Sequence, residues 1–256
     1  MNRLLPPADG ANVQASNSRC QSDRLTQRAA HSGSAAGDFT IAIMQPYFIP
    51  YAGYFRLFSA CDLFVIYDCV QFPRRGWVHR NRVIDSSGVE RWLTLPLRKS
   101  PQNVLIGDLR FPANAPALLA ERLRPLGLRS EYEDVSGILA ALSDIRDTPV
   151  DYIEKLLKRV AVYLGLRWNV IRSSSLQISS ELRGQDRILE IARRLGARHY
   201  VNAPGGRALY DPQRFADNGI ELCFLNDYPG SRISILNRLL AEARDRLAMD
   251  IGAAAL

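Results

Sequence analysis

Two stretches of the chain gather the residue types that bind and transform polar ligands. The first runs from Met44 to Arg82. It holds Gln45, Tyr47 and Tyr51 in the loop QPYFIPYAGYF, then Asp68 at the end of an apolar run. Gln71, Arg74, Arg75, Trp77, His79, Arg80, Asn81 and Arg82 follow in a basic loop. Clustered guanidinium groups suit phosphate, because each planar fork pairs with two oxygens at once. Tyr47, Phe48 and Trp77 offer rings that stack on a base or a sugar face. Asp68 suits a general base or a hydroxyl acceptor, and His79 an acid–base group. Cys69 beside Asp68 fits a small buried residue as well as a nucleophile. The second stretch is Asn202-Ala-Pro-Gly-Gly-Arg. There Gly205 and Gly206 allow a backbone nest for an anion, Arg207 adds charge and Asn202 a polar side chain. Each stretch also has a plainer interpretation: a basic loop is often solvated surface, and two glycines often a simple turn.

Elements must position these residues. FTIAIM (39–44) and DLFVIYD (62–68) are short, apolar and β-branched, as buried strands are. If they are parallel neighbours, the loops after them leave the same carboxyl edge of a sheet, where open α/β sheets bind ligands. RVID, an SSG turn and VERWLTL predict a hairpin, and VLIGDLRF (104–111) a further strand. Apolar spacings of three and four predict helices over Ala115–Leu126, Val135–Leu142 and Val150–Leu164, with Pro149 at the first helical position and Gly165 just past the end. Then come a strand in WNVIR, a helix over Gln185–Leu195, a strand in ARHYVNA, a short helix after Asp211-Pro212, a strand in IELCFL and a helix over Ile233–Met249. The alternation predicts an α/β fold: a mostly parallel open sheet in one domain over residues 39–256, with a helical middle section at about 114–164. Residues 1–38 are rich in Ser, Ala, Asn and Gln and lack apolar periodicity, which predicts a disordered tail.

Composition narrows the function classes. The 256 residues carry a net charge of +7, which suits acidic ligands. The cations are 30 Arg against 3 Lys. GC-rich codon usage accounts for that bias, so position rather than totals identifies sites. Cys20, Cys61, Cys69 and Cys223 form no C-x-x-C and the histidines are scattered, so no metal site is expected and a reducing cytoplasm fits. No run of about 18 apolar residues predicts a membrane span. The chain has no P-loop, no G-x-G-x-x-G, no G-x-S-x-G, no D-x-D, and no pattern for nucleic acid.

MQPYFIPYAGYFRLFSACDLFVIYDCVQFPRRGWVHRNRV, followed by WLTLPL and later by VNAPGGRALY, resembles the WbqC-like family. The matching positions include Gln45, Pro46, Pro50, Gly53, Asp68, Gln71, Gly76, Trp77, Arg80, Asn81, Trp92 and Pro96. Two positions depart from the pattern: Cys69 stands where the family has a second Asp, and Asn237 where it has an acid. The resemblance implies a cytoplasmic protein of bacterial surface-polysaccharide (O-antigen) biosynthesis. It implies acyl or aminoacyl transfer to the amine of a nucleotide-linked amino sugar, from acyl-CoA or an acyl carrier protein. In that scheme the basic loop holds the pyrophosphate or the donor's phosphopantetheine, and Asp68 or His79 takes the amine proton. Two alternatives stay open. One is an ATP-dependent nucleotidyltransferase or ligase, although its H-x-G-H pair is absent. The other is a non-catalytic sugar-nucleotide-binding partner, which the lost acid at Cys69 favours.

Overall fold

The computed structural model describes residues 38–130 and 132–253, so the tail expected over 1–38 lies outside the described residues except for Asp38. Five strands form one parallel sheet: β1 (Thr40–Met44), β2 (Leu63–Ile66), β5 (Val170–Arg172), β6 (His199–Asn202) and β7 (Glu221–Phe224). Their spatial order is β5-β2-β1-β6-β7, and every pair is parallel. The α/β expectation holds, and a physical reason is visible in the side chains. Ala42, Phe64 and Ile66 enter a large core on one face with Phe48, Phe55 and Leu156. Ile41, Ile43, Leu63 and Val65 enter a smaller core on the other face with Ile191, Tyr200 and Phe215. Successive residues point to opposite faces of a pleated strand. Because both faces are covered, these strands are apolar throughout instead of alternating.

The helices are α1 (Ala52–Ser59), α2 (Ala115–Leu123), α3 (Ser136–Ser143), α4 (Pro149–Tyr163), α5 (Gly184–Arg194), α6 (Pro212–Asp217), α7 (Ile235–Ala241) and α8 (Arg244–Ala253). The start of α4 is fixed by a capping box: Thr148 accepts from the Asp151 amide, Asp151 accepts in return from the Thr148 amide, and Pro149 occupies the first turn. Gly165 follows this helix at φ +73°, which only a residue without Cβ takes without strain. The expected hairpin forms as β3 (Arg80–Ile84) and β4 (Glu90–Thr94), antiparallel with Arg82 opposite Trp92.

Two expectations are corrected. VLIGDLRF is not a strand. It forms a single 3-10 turn at Ile106–Asp108, and only Leu105 makes an isolated bridge, to Gln71. Ile106 and Leu109 are the buried residues, three apart, and the amides of Ile106 and Gly107 bond to the carbonyls of Val70 and Asp68. The segment therefore packs under the loop after β2 rather than extending the sheet. The single C-terminal helix is two, because Glu242 is extended between α7 and α8. The bend lets Leu239, Leu247 and Ile251 all reach the same core.

The strand order sets the site. From central β1 the chain builds outward through β2 and β5 on one side, then returns to place β6 and β7 on the other. The order reverses between β1 and β6, and the crevice beyond their carboxyl ends is where such sheets take ligands.

Candidate functional site

A cavity of about 420 Å³ opens at that crevice. Met44 and Tyr47 reach it from the end of β1, and Ala203, Pro204, Gly205 and Arg207 from the turn after β6. Tyr51, Tyr54 and Leu57 come from the start of α1, Trp77, Asn81 and Arg82 from the basic loop and β3, and Asp227, Tyr228 and Arg232 from the loop after β7. Tyr47 packs on Tyr54 with ring centroids 5.4 Å apart, and Tyr51 on Tyr228 at 5.8 Å. The result is an aromatic wall with three guanidinium groups (Arg82, Arg207, Arg232) and one carboxylate (Asp227). Burial holds the phenols of Tyr47, Tyr51 and Tyr228 above their ordinary range. They remain protonated hydrogen-bond donors at neutral pH rather than bases.

The loop after β1 is built stiff. Ile49 sits at φ +41°, an unfavourable conformation for a β-branched residue. It is held there from three sides. The Phe48 amide donates to the Trp77 carbonyl at 3.1 Å. Asn81 Nδ2 donates to the Phe48 and Ile49 carbonyls at 3.2 and 2.7 Å. Ser234 Oγ donates to the Ile49 carbonyl at 2.7 Å. Strain that the surroundings over-determine is a common property of ligand loops. Close approach also requires glycines. A Cβ on Gly53 would collide with the Tyr51 ring and stand 2.8 Å from Tyr228 Cβ, and one on Gly206 would collide with Asn202 Nδ2.

The far wall is anchored from behind. Tyr228 donates to Asp250 at 2.6 Å, and Arg238 donates to the Tyr228 hydroxyl at 2.6 Å while pairing with Glu242 and Asp250. Arg56, only 1% exposed, donates to the Asn226 carbonyl at 2.8 Å and lies over the Tyr228 ring at 5.9 Å.

The residues singled out in the sequence divide between this cavity and its surroundings. Tyr47, Tyr51, Trp77, Asn81, Gly205 and Arg207 line it. Gln45 and Asn202 sit directly behind: the Gln45 carbonyl accepts from Tyr54, and Asn202 Oδ1 accepts from the Ala203 amide. Gly206 is buried under the same turn. Four others lie outside the lining, and three of them fix loops. Gln71 donates to the Gln102 carbonyl and Arg74 to the Ser100 carbonyl. Arg80 donates to the Arg75 carbonyl and covers the Trp92 ring at 4.3 Å. The Arg75 side chain is exposed.

Asp68 and His79 also lie outside the lining. Asp68 follows β2, whose neighbour beyond it is β5, so it faces the Ser-rich turn after β5 and not the crevice between β1 and β6. Its carboxylate accepts from Ser173 Oγ at 2.9 Å, the Ser174 amide at 2.9 Å and Ser174 Oγ at 2.7 Å. It is 2% exposed and serves to lock two loops together. The His79 ring packs edge-on to Phe72. Burial, then the charges of Arg80 and Arg122, pull its imidazole from 6.5 down to about 4.

The His79 shift has a measurable consequence. The unfolded chain takes up this proton near pH 6.5 and the folded protein only near pH 4. The unfolded state therefore binds more protons between those values, and stability is full above pH 6.5 and falls as the pH drops towards 4. Solvent screens a half-buried ring, so the expected loss from pH 7 to pH 5 is about 1 kcal/mol. Urea midpoints of the wild type and His79→Phe at the two pH values measure it. An equal slope in both would place the titration elsewhere.

Three lining residues were not singled out in the sequence: Asp227, Tyr228 and Arg232. The available signal was their position. They lie in NDYPGSR, just past the carboxyl end of β7, beside β6. Of the two departures from the expected pattern, Asn237 has a structural role. Asn237 accepts from the Ile84 amide at 3.0 Å and donates to the Ile84 carbonyl at 2.7 Å, a pair of hydrogen bonds that a carboxylate, having no donor, could not complete. The Cys69 carbonyl accepts from Arg187 at 2.7 Å, a backbone contact that any residue supplies, and nothing in the structure explains the thiol at this position. Among the described residues, no group of three or more His, Cys, Asp or Glu side chains is placed to hold a metal ion, and no helix is long and apolar enough to cross a membrane.

Comparison with known proteins agrees with this layout. The profile of the WbqC-like protein family matches residues 45–231, which run from the loop after β1 to the loop after β7. The uncharacterized protein Rv1507c of Mycobacterium tuberculosis is 27% identical over 241 residues, covering 81% of this chain and 96% of that protein. No solved structure matches the chain.

Proposed function

The chain belongs to the WbqC-like protein family, and we propose that it binds a nucleotide-linked amino sugar in the crevice between β1 and β6 and transfers an acyl or aminoacyl group to the sugar amine. The observation that carries this proposal is one cavity uniting packed tyrosines with three arginines and, among the described residues, a single carboxylate. Arg82, Arg207 and Arg232 suit a pyrophosphate, the rings of Tyr51, Trp77 and Tyr228 suit the faces of a base or sugar, and Asp227 suits the amine. The amine nitrogen attacks the carbonyl carbon of a thioester, on coenzyme A or an acyl carrier protein. The carbon–sulfur bond breaks, and the proton lost by nitrogen passes through Asp227 to the leaving thiolate. We place the proton transfer on Asp227 because both oxygens of Asp68 are already engaged, and His79 lies outside the lining with its basicity lowered by burial. This chemistry fits cytoplasmic surface-glycan (O-antigen) biosynthesis in bacteria.

The binding step is tested by calorimetric titration with UDP- and dTDP-linked amino sugars. Arg207 is exposed at the cavity, where it holds a long 3.4 Å contact to the Leu225 carbonyl and lies over the Phe224 ring at 5.4 Å, so Arg207→Gln should fold with only a small loss of stability. Losing one charge-assisted phosphate contact, about 1.5–3 kcal/mol, should weaken binding about 10- to 100-fold. Unchanged affinity would remove the pyrophosphate from this turn. Stabilisation by ATP with magnesium, and by no sugar nucleotide, would favour a nucleotidyltransferase instead.

A further inference from the structure

A second cleft, of about 600 Å³, lies away from the crevice, between α3, α4 and the start of α8. Lys155, Lys158, Arg159 and Arg244 line it, against one carboxylate among the described residues, Asp134. Two of the three lysines of an arginine-dominated chain thus face one cleft. Helical spacing explains their convergence: positions 155, 158, 159 and 162 share one face of α4. Lys155 is held by Asp144 at 2.8 Å, and Arg244 pairs with the adjacent Asp245 at 3.2 Å. Lys158 and Arg159 form no ion pair among the described residues.

Three features make this a built cleft rather than a charged helix face. Gly137 on α3 keeps that wall of the cleft bare beside Arg159: a Cβ there would stand in ordinary contact, 3.4 Å from Arg159 Nη1. Tyr163 is 8% exposed, and its hydroxyl finds no hydrogen-bond partner among the described residues. A buried hydroxyl left unpaired is destabilising unless a ligand oxygen accepts from it. Burial keeps that phenol protonated, hence a donor. Val162, 59% exposed, adds an apolar surface beside the cations.

We propose that this cleft is a second ligand site, for a phosphate-bearing organic anion: Lys158 and Arg159 hold the phosphate oxygens, the Tyr163 hydroxyl donates to one of them, and Val162 covers an apolar part. The same chemistry is offered by a free organic phosphate and by a lipid headgroup. Calorimetry of the full chain with pyrophosphate and with ATP tests the first source, and co-sedimentation with phosphatidylglycerol vesicles the second. In whichever arm binds, the exposed pair Lys158→Gln/Arg159→Gln should weaken binding at least about tenfold while Arg207→Gln leaves this site intact. Tyr163→Phe should raise the melting temperature of the unliganded protein and weaken the same binding several-fold. Equal binding by the wild type and the double variant in both arms would overturn the proposal. So would a loss that Tyr163→Phe does not share, because only unspecific charge attraction would then remain. A failure of the amino-sugar scheme would show instead as loss of the Arg207-dependent binding alone.

Discussion

Asn81→Leu is expected to cost about 3 kcal/mol of stability. The Asn81 side chain is 2% exposed and makes three hydrogen bonds: Nδ2 donates to the Phe48 and Ile49 carbonyls, and Oδ1 accepts from the Arg82 amide at 2.8 Å. Leucine fills a similar volume but leaves the Phe48 carbonyl and the Arg82 amide without these partners; only the Ile49 carbonyl keeps another, Ser234 Oγ. Each orphaned buried group costs about 1–3 kcal/mol. The strained Ile49 backbone, with φ +41°, also loses a restraint. The melting temperature should fall by about 6–12 °C at this chain length. Asn81→Asp gives a sharper diagnosis. A carboxylate there faces two carbonyl oxygens, so its folded-state pKa must lie above the unfolded value. That variant should gain stability as the pH falls, when the protonated acid can donate one bond. A melting temperature within about 2 °C of wild type for Asn81→Leu would mean that the loop after β1 is held by Ser234 and the Trp77 carbonyl alone.

This clamp shows what a sequence can and cannot convey. The strands were legible because burial on both faces leaves only apolar residues in Ile41–Ile43 and Leu63–Ile66. The turn Asn202–Arg207 was legible because two glycines after a strand restrict what can form there. The side-chain partners were not legible, since they are distant in the chain. Asn81 bonds to Ile49, and Asp68 to Ser173, 105 residues away. Both Asp68 and Asp227 follow strands of the same sheet, at the same carboxyl edge. Which of them faces the crevice depends on spatial strand order, and β2 and β5 lie on the wrong side of β1 for Asp68. Tyr228 lies past the last strand, in a stretch without a site motif. Its place in the wall depends on Arg238 and Asp250, whose pairing with Tyr228 needs the bend at Glu242. The segment VLIGDLRF misled for a related reason: its apolar content is that of a strand, but the buried residues Ile106 and Leu109 are three apart.

Asp227→Asn should lower the rate of acyl transfer about 100-fold or more while leaving sugar-nucleotide affinity within about threefold. An ammonium cannot attack a thioester until it loses a proton, and Asp227 is the one carboxylate in the cavity lining among the described residues. Its side chain is 82% exposed at the cavity rim, 3.9 Å from Arg232, so the amide fits the same space without disturbing packing. Asp68→Asn is the matching control. It weakens the acceptor of three hydrogen bonds from Ser173 and Ser174, so it should lower the melting temperature and leave turnover per folded molecule nearly unchanged. The two variants therefore separate the two carboxylates by opposite readouts. Turnover lost in Asp68→Asn and kept in Asp227→Asn would move the chemistry to the β2–β5 side of the sheet. Sugar-nucleotide binding with no transfer from any thioester, in wild type and variants alike, would make the cavity a carrier's site, and the arginines and rings would then serve recognition alone.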